Sequence, residues 1–168
     1  MSRSFAESEV DMKHTATLVF AAAITLVPAT ACRAEESHAA EPFVPEIGEV
    51  MTFQQIRHAK LWFAGRARNW ELAGFEVAEL KEGFEAVARY YPTLNDVPLA
   101  QMIDTIRSTN FGALDRAIAA RDPARFAAAF DGLTQACNAC HRASAHAFIV
   151  IRRPSAPLFS NQSFYPQK

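Results

Sequence analysis

The sequence predicts an all-α fold, four helices followed by an irregular C-terminal tail. Three observations predict it. Beyond Pro45 the apolar residues recur at intervals of three and four, without the sustained alternation of half-buried strands. Two aspartate–proline combinations, Asp96-Val97-Pro98 and Asp122-Pro123, have the form of helix starts with proline in the first turn. Prolines also punctuate the pattern: Pro92 stops one run, and Pro154, Pro157 and Pro166 interrupt the last stretch.

The 168 residues suit one domain, and with 50% hydrophobic residues and 13 phenylalanines a packed core is feasible. A net charge of -1 argues against nucleic acid and against a polybasic membrane surface as partners. Residues 1–34 read as a targeting region. Met12-Lys13-His14 opens a short basic stretch, the apolar run Thr15–Val27 follows, and Pro28-Ala29-Thr30-Ala31 supplies small residues for cleavage. Met1–Asp11 is polar and acidic, wrong for the front of a signal peptide, so Met12 reads as the natural start. Ala29-Thr30-Ala31-Cys32 loosely resembles a lipoprotein box, with Ala29 where leucine is usual. Ordinary cleavage near Ala31 or Ala34 is preferred, and membrane contact would require a lipidated Cys32. Residues 35–45 are charged and small with two prolines, a mobile linker.

The first helix is expected from Glu46 to about Arg66, apolar nearly all round, with Gln54, His58 and Gly65 interrupting one face. A turn is placed near Ala64–Asn69, because an unbroken helix to Tyr91 would be too long for a globular protein, and Asn69 suits a cap. The second helix carries Ala73, Val77, Leu80, Phe84, Val87 and Tyr91 at 4-3-4-3-4 spacing, a bundle seam. The third starts at Asp96-Val97-Pro98, loosens around Asn110–Gly112 and resumes through Leu114 and Ile118. The fourth starts at Asp122-Pro123. Its seam is Phe126, Phe130, Leu133, Cys137, Cys140, Ser144 and Phe148, so the helical domain spans 46–151. The tail, 152–168, holds Leu158, Phe159, Phe164 and Tyr165 and is expected to pack on the helices.

Within that fourth seam stands Cys137-Asn138-Ala139-Cys140-His141, the C-x-x-C-H attachment signal of c-type haem. At roughly two per cent for each residue type, chance would produce it in about one chain in a thousand of this size. Two thiols one helical turn apart can each bond a vinyl group of one porphyrin, and the adjacent histidine can turn onto the iron. On a helix all three share one face. Structural zinc would need a second Cys/His pair, and Cys32, His14, His38, His58 and His146 are not spaced for one. A redox dithiol would need a βαβ context that is missing. With two of only three cysteines in this motif, no disulfide framework is expected. One covalent haem c is therefore the expected cofactor, with His141 the proximal iron ligand. Export and haem attachment support each other, since c-type haem is attached outside the cytoplasm.

From roughly Pro45 to Phe148 the chain resembles the cytochrome c′ family, on the strength of Cys137–His141 in the fourth helix and Arg57-His58-Ala59-Lys60-Leu61 in the first. The resemblance implies an antiparallel four-helix bundle, a fold for which that family is a standard example. It implies Arg57 as partner of the haem propionates and Leu61 as the residue facing the open side of the iron. Ala145 stands where the family usually has a basic residue, and His146 follows. Family members often pair through their first two helices, which leaves monomer and homodimer both open.

The sixth iron position has three candidates on the first helix. Leu61 would leave the iron open to a small gas, His58 would make it bis-histidine, and Met51 would make it His/Met and raise the potential. Arg57 and Lys60 interrupt an apolar helix; Arg57 is read toward a propionate and Lys60 toward solvent. Trp62 and Trp70 are read as core residues in preference to porphyrin-stacking ones. The expected function is periplasmic one-electron transfer with redox partner proteins, after loading by the c-type cytochrome maturation machinery. The alternatives are binding of nitric oxide or carbon monoxide at five-coordinate iron, and an accessory haem- or metal-binding role without a redox cycle. No paired carboxylates, triad or phosphate loop point to an enzyme.

Overall fold

In the computed structural model, residues 43–157 and 159–167 are described. The expectations for the signal region, Met12, Cys32 and most of the linker fall outside them, as does that for Leu158. The described residues are all-α, without a strand. Helix α1 spans Ile47–Arg66, α2 Trp70–Tyr90, α3 Leu99–Ile106, α4 Gly112–Ala119 and α5 Pro123–Ala143. A π-helical turn, Arg107–Phe111, joins α3 to α4, so the two form the third of four rods. The expected loosening near Asn110–Gly112 is this turn, a single wide loop inside a helix that brings Phe111 into the core against Phe84.

Local chemistry sets the ends. Arg68 adopts a left-handed φ of 58° between α1 and α2, and the Asn69 side chain accepts from the Leu72 amide at 3.1 Å, the cap its type favours. Asp122 caps α5 by accepting from the amides of Ala124 and Arg125 at 2.9 and 3.0 Å, with Pro123 in the first turn. Asp96 does otherwise than expected. It sits with Asn95 at positive φ at the tip of a tight turn closed by the reciprocal Leu94–Val97 backbone bonds, and α3 begins only at Leu99. Both residue types tolerate that left-handed conformation, which competes with capping.

Helix α1 packs on α2 and α5, α2 on α3 and α4, and α5 on α3, the π-turn and α4. The expected seam of α2 is buried from Ala73 through Val87, with Tyr91 half-buried and its hydroxyl donating to the Pro45 carbonyl at 2.9 Å. Helix α1 departs from expectation. Phe53 is 56% exposed, whereas Gln54 and His58, read as interruptions, are buried. They can be buried because both are paired. Gln54 Nε2 donates to the Leu80 carbonyl at 2.7 Å and its Oε1 accepts from Arg57 at 3.1 Å. Gly83 permits this approach of α1 to α2, since a Cβ there would overlap the Gln54 amide.

Helix α5 stops at Ala143, earlier than its apolar periodicity suggested. Ala145 takes a left-handed φ of 63°, the His146 amide returns to the His141 carbonyl at 2.7 Å, and Phe148 is left 79% exposed. The chain then runs back along α5. Arg153 bonds both carboxylate oxygens of Asp131, at 2.6 and 2.5 Å, with its guanidinium 4.5 Å above the Trp62 ring. Further on, Phe164 is buried against Phe63 with ring centres 5.5 Å apart, while Tyr165 stays exposed.

Candidate functional site

Along α5 the seam changes from large to small residues. Phe126, Phe130 and Leu133 fill the interior, and the next two positions are Cys137 and Cys140. The space the smaller side chains leave is a cavity of about 260 Å³. Cys137, Cys140 and His141 stand on its α5 side, Leu80 and Phe84 on its α2 side, and Leu99 and Ile103 on its α3 side. Helix α1 contributes Met51, Gln55 and His58, which recur at helical spacing.

Both cysteines are free thiols. Burial pushes the Cys137 thiol up to about 12, with the neighbouring Cys140 adding to the rise, and burial likewise raises Cys140. A thiol held protonated by burial is a weaker nucleophile than an exposed one. His141 is held by the returning segment: its Nδ1–H donates to the Ile149 carbonyl at 3.0 Å, so Nε2 carries the lone pair. His146, also on the cavity wall, donates from Nδ1 to the Ser144 carbonyl at 2.6 Å.

The α1 candidates separate. Met51 and His58 line the cavity; Leu61 and Arg57 do not. Leu61 is fully buried one turn beyond His58, whose ring lies 4.3 Å from that of Phe130 and closes the cavity before Leu61 is reached. Arg57 turns to α2, where it pairs with Glu79 at 2.7 Å. Lys60, expected in solvent, is only partly exposed and lies 3.9 Å from Glu76 and 5.9 Å from the Phe159 ring centre. Trp62 and Trp70 pack on Phe126 and are core residues outside the cavity.

His58 is 4% exposed and fixed by a short chain of bonds. The Thr134 hydroxyl donates to the Phe130 carbonyl at 2.9 Å, so its oxygen accepts from His58 Nε2–H, also at 2.9 Å. That leaves Nδ1 as the ring's free lone pair. Desolvation lowers the His58 pKa to about 4, which keeps the ring neutral at physiological pH.

No family model, curated protein or solved structure matches this chain. The site therefore has to be read from its own residues. Among the described residues, no group of three or more His, Cys, Asp and Glu side chains is arranged to hold a bare metal ion. No helix among them is long and apolar enough to cross a membrane. Sequence reasoning missed Thr134, Asn138, His146 and the Ile149 carbonyl. The first sits one turn before Cys137 without a distinguishing pattern, and the carbonyl becomes available only because α5 stops and the chain folds back.

Proposed function

We propose that the chain is an exported c-type cytochrome, an antiparallel four-helix bundle holding one covalent haem and passing single electrons between protein partners. One observation carries the reading. Two free thiols and a histidine with its Nδ1–H already given to a backbone carbonyl stand together on the wall of an apolar cavity. Short links between rods that each pack on the next support the bundle.

The residues present fit the group that C-x-x-C-H calls for. Cys137 and Cys140 would hold it through thioethers, and His141 Nε2 would be its axial donor. The cavity approaches the roughly 300–1,000 Å³ usual for small-ligand sites. The bound haem would supply a one-electron iron couple, tuned by its axial ligands, hydrogen bonding and burial. The chain's own contribution is orientation and exclusion of water. Ile149 keeps His141 in one tautomer, while Leu80, Phe84, Ile103 and Leu133 keep the interior apolar. Because burial raises the pKa of both half-buried thiols, thioether formation would belong to the chain before folding, where the maturation machinery would act. The apolar run Thr15–Val27 and the small residues after it support delivery to the periplasm.

A second reading, binding of nitric oxide or carbon monoxide, is favoured by the bond from His58 Nε2 to Thr134, which fixes the ring and leaves only Nδ1 as a donor from it. The absorption spectrum of the reduced, exported protein separates the two. Sharp α and β bands that carbon monoxide leaves in place support the electron carrier, with Met51 or His58 as sixth ligand. A high-spin spectrum that shifts with carbon monoxide selects the gas-binding protein instead.

A further inference from the structure

We propose that Asn138, the first spacer between the two cysteines, is a positioning residue that sets the orientation of His141 through the returning strap. The haem chemistry requires only the two thiols and the histidine, so the motif itself leaves this spacer free. The structure uses it. Asn138 Nδ2 donates to the Ile151 carbonyl at 2.8 Å, and the Ile151 amide donates to Asn138 Oδ1, also at 2.8 Å. One side-chain amide thus takes both backbone groups of a single strap residue, which needs a donor and an acceptor in one plane.

The register extends along the strap. Asp131, Asn138 and His141 lie seven and three apart on α5, a single stripe of the helix. Their partners are Arg153, Ile151 and Ile149, alternate residues of a chain running the opposite way. The intervening residues Val150 and Arg152 are exposed, Val150 at 71%, against 41% for Ile149 and a half-buried Ile151. Asn138 is the middle anchor, one helical turn from His141, and Ile151 is two residues from the carbonyl that receives Nδ1–H. Ile149 and Ile151 also line the cavity, so the same anchor places part of its wall.

A carbonyl held on Nδ1–H makes the imidazole a stronger donor at Nε2 and favours the oxidised metal. Releasing it should do the reverse. This electronic consequence rests on the cytochrome reading; the mechanical one does not. The test compares full-length exported wild type with Asn138→Ala and Asn138→Asp, by hydrogen–deuterium exchange of segment 148–153 and by redox titration. Asn138→Ala should speed exchange in the strap at least tenfold and raise the reduction potential, with helicity and covalent haem content unchanged. Asn138→Asp keeps the acceptor and loses the donor, so it should fall between. Unchanged strap exchange in Asn138→Ala overturns the proposal. Faster exchange with an unmoved potential also overturns it, because Asn138 would then be structural only. Should wild type carry no covalent haem, the cytochrome reading fails by itself, and the role of Asn138 toward His141 is then judged on the His141 tautomer by nitrogen NMR: an unchanged Nδ1–H tautomer in Asn138→Ala overturns it.

Discussion

The two ends of α1 and α5 are packed in opposite ways. At one end Trp62, Phe126 and Phe130 meet ring to ring, with Trp70 edge-on to Phe126, and Gly65 is needed because a Cβ there would overlap the Phe126 ring. At the other end the same two helices, at similar seam positions, carry Met51, Cys137 and Cys140 and enclose a cavity. His58 stands at the border, its ring tilted 34° against that of Phe130, and lines the cavity. The comparison teaches that the cavity is written in side-chain size and that the closed end stabilises a fold whose other end is kept open. Interiors are ordinarily filled to crystal-like density, so an apolar cavity of this size beside Cys137, Cys140 and His141 supports the proposal that it takes a ligand.

Truncation should separate the ends most sharply. Phe130→Ala removes a fully buried ring from the closed end and should cost about 3–5 kcal/mol in denaturant unfolding. Met51→Ala, half-buried on the cavity wall instead of inside the aromatic cluster, should cost clearly less. Equal losses would mean that the cavity end carries as much packing as the aromatic end.

The border residue should give the fold an acid-sensitive component. His58 is neutral when folded, with a pKa of about 4 against an ordinary 6.5. Between those values the unfolded chain takes up a proton that the folded chain refuses, so stability falls as pH drops from 6.5 toward 4. The full effect is on the order of 3 kcal/mol at the acid end. Unfolding free energies measured across this range should lose much of their slope in His58→Leu, and an unaltered slope would place the titration elsewhere.

Glycines give a smaller contrast. Gly65→Ala should destabilise by about 1–3 kcal/mol through overpacking against Phe126. Gly48→Ala, with nothing within 4 Å of the added carbon, should be neutral or stabilise by up to about 1 kcal/mol through helix propensity. Thermal unfolding of the two variants, run side by side, checks the pair.

Smallest is the change at Glu76, which is 2% exposed, has Oε1 without a hydrogen-bond partner and is only partly offset by Lys60 at 3.9 Å. Burial raises its pKa, so the folded state holds the proton more tightly and stability declines as pH rises through the interval between the unfolded and folded values. Glu76→Gln should remove that decline and leave the protein at neutral pH slightly more stable, measured by urea unfolding at two pH values.

Much of this contrast was legible in the sequence. The seam Phe126, Phe130, Leu133, Cys137, Cys140 already says that α5 narrows its side chains toward the motif, and Asp122-Pro123 fixes where that helix begins. The position of His58 was legible only as a polar break, because its burial depends on Thr134, which lies far away in the chain and close only in the fold. The surroundings of Arg57 and Leu61 were hidden for a related reason. Arg57 finds its partner on α2, and His58, packed on Phe130, closes the cavity before Leu61, so neither lines it. The strap was invisible because continuing apolar spacing through Phe148 masks the left-handed turn at Ala145 that ends α5.

The central claim is that the open end holds a haem bonded to Cys137 and Cys140. Intact mass and absorption of the exported full-length chain after denaturing extraction test it most directly. The account predicts that colour stays with the polypeptide, that the mass of the exported chain rises by one haem, and that both are lost in the Cys137→Ala/Cys140→Ala double variant. A colourless chain at its bare polypeptide mass, or haem that survives denaturation in the double variant, would contradict it.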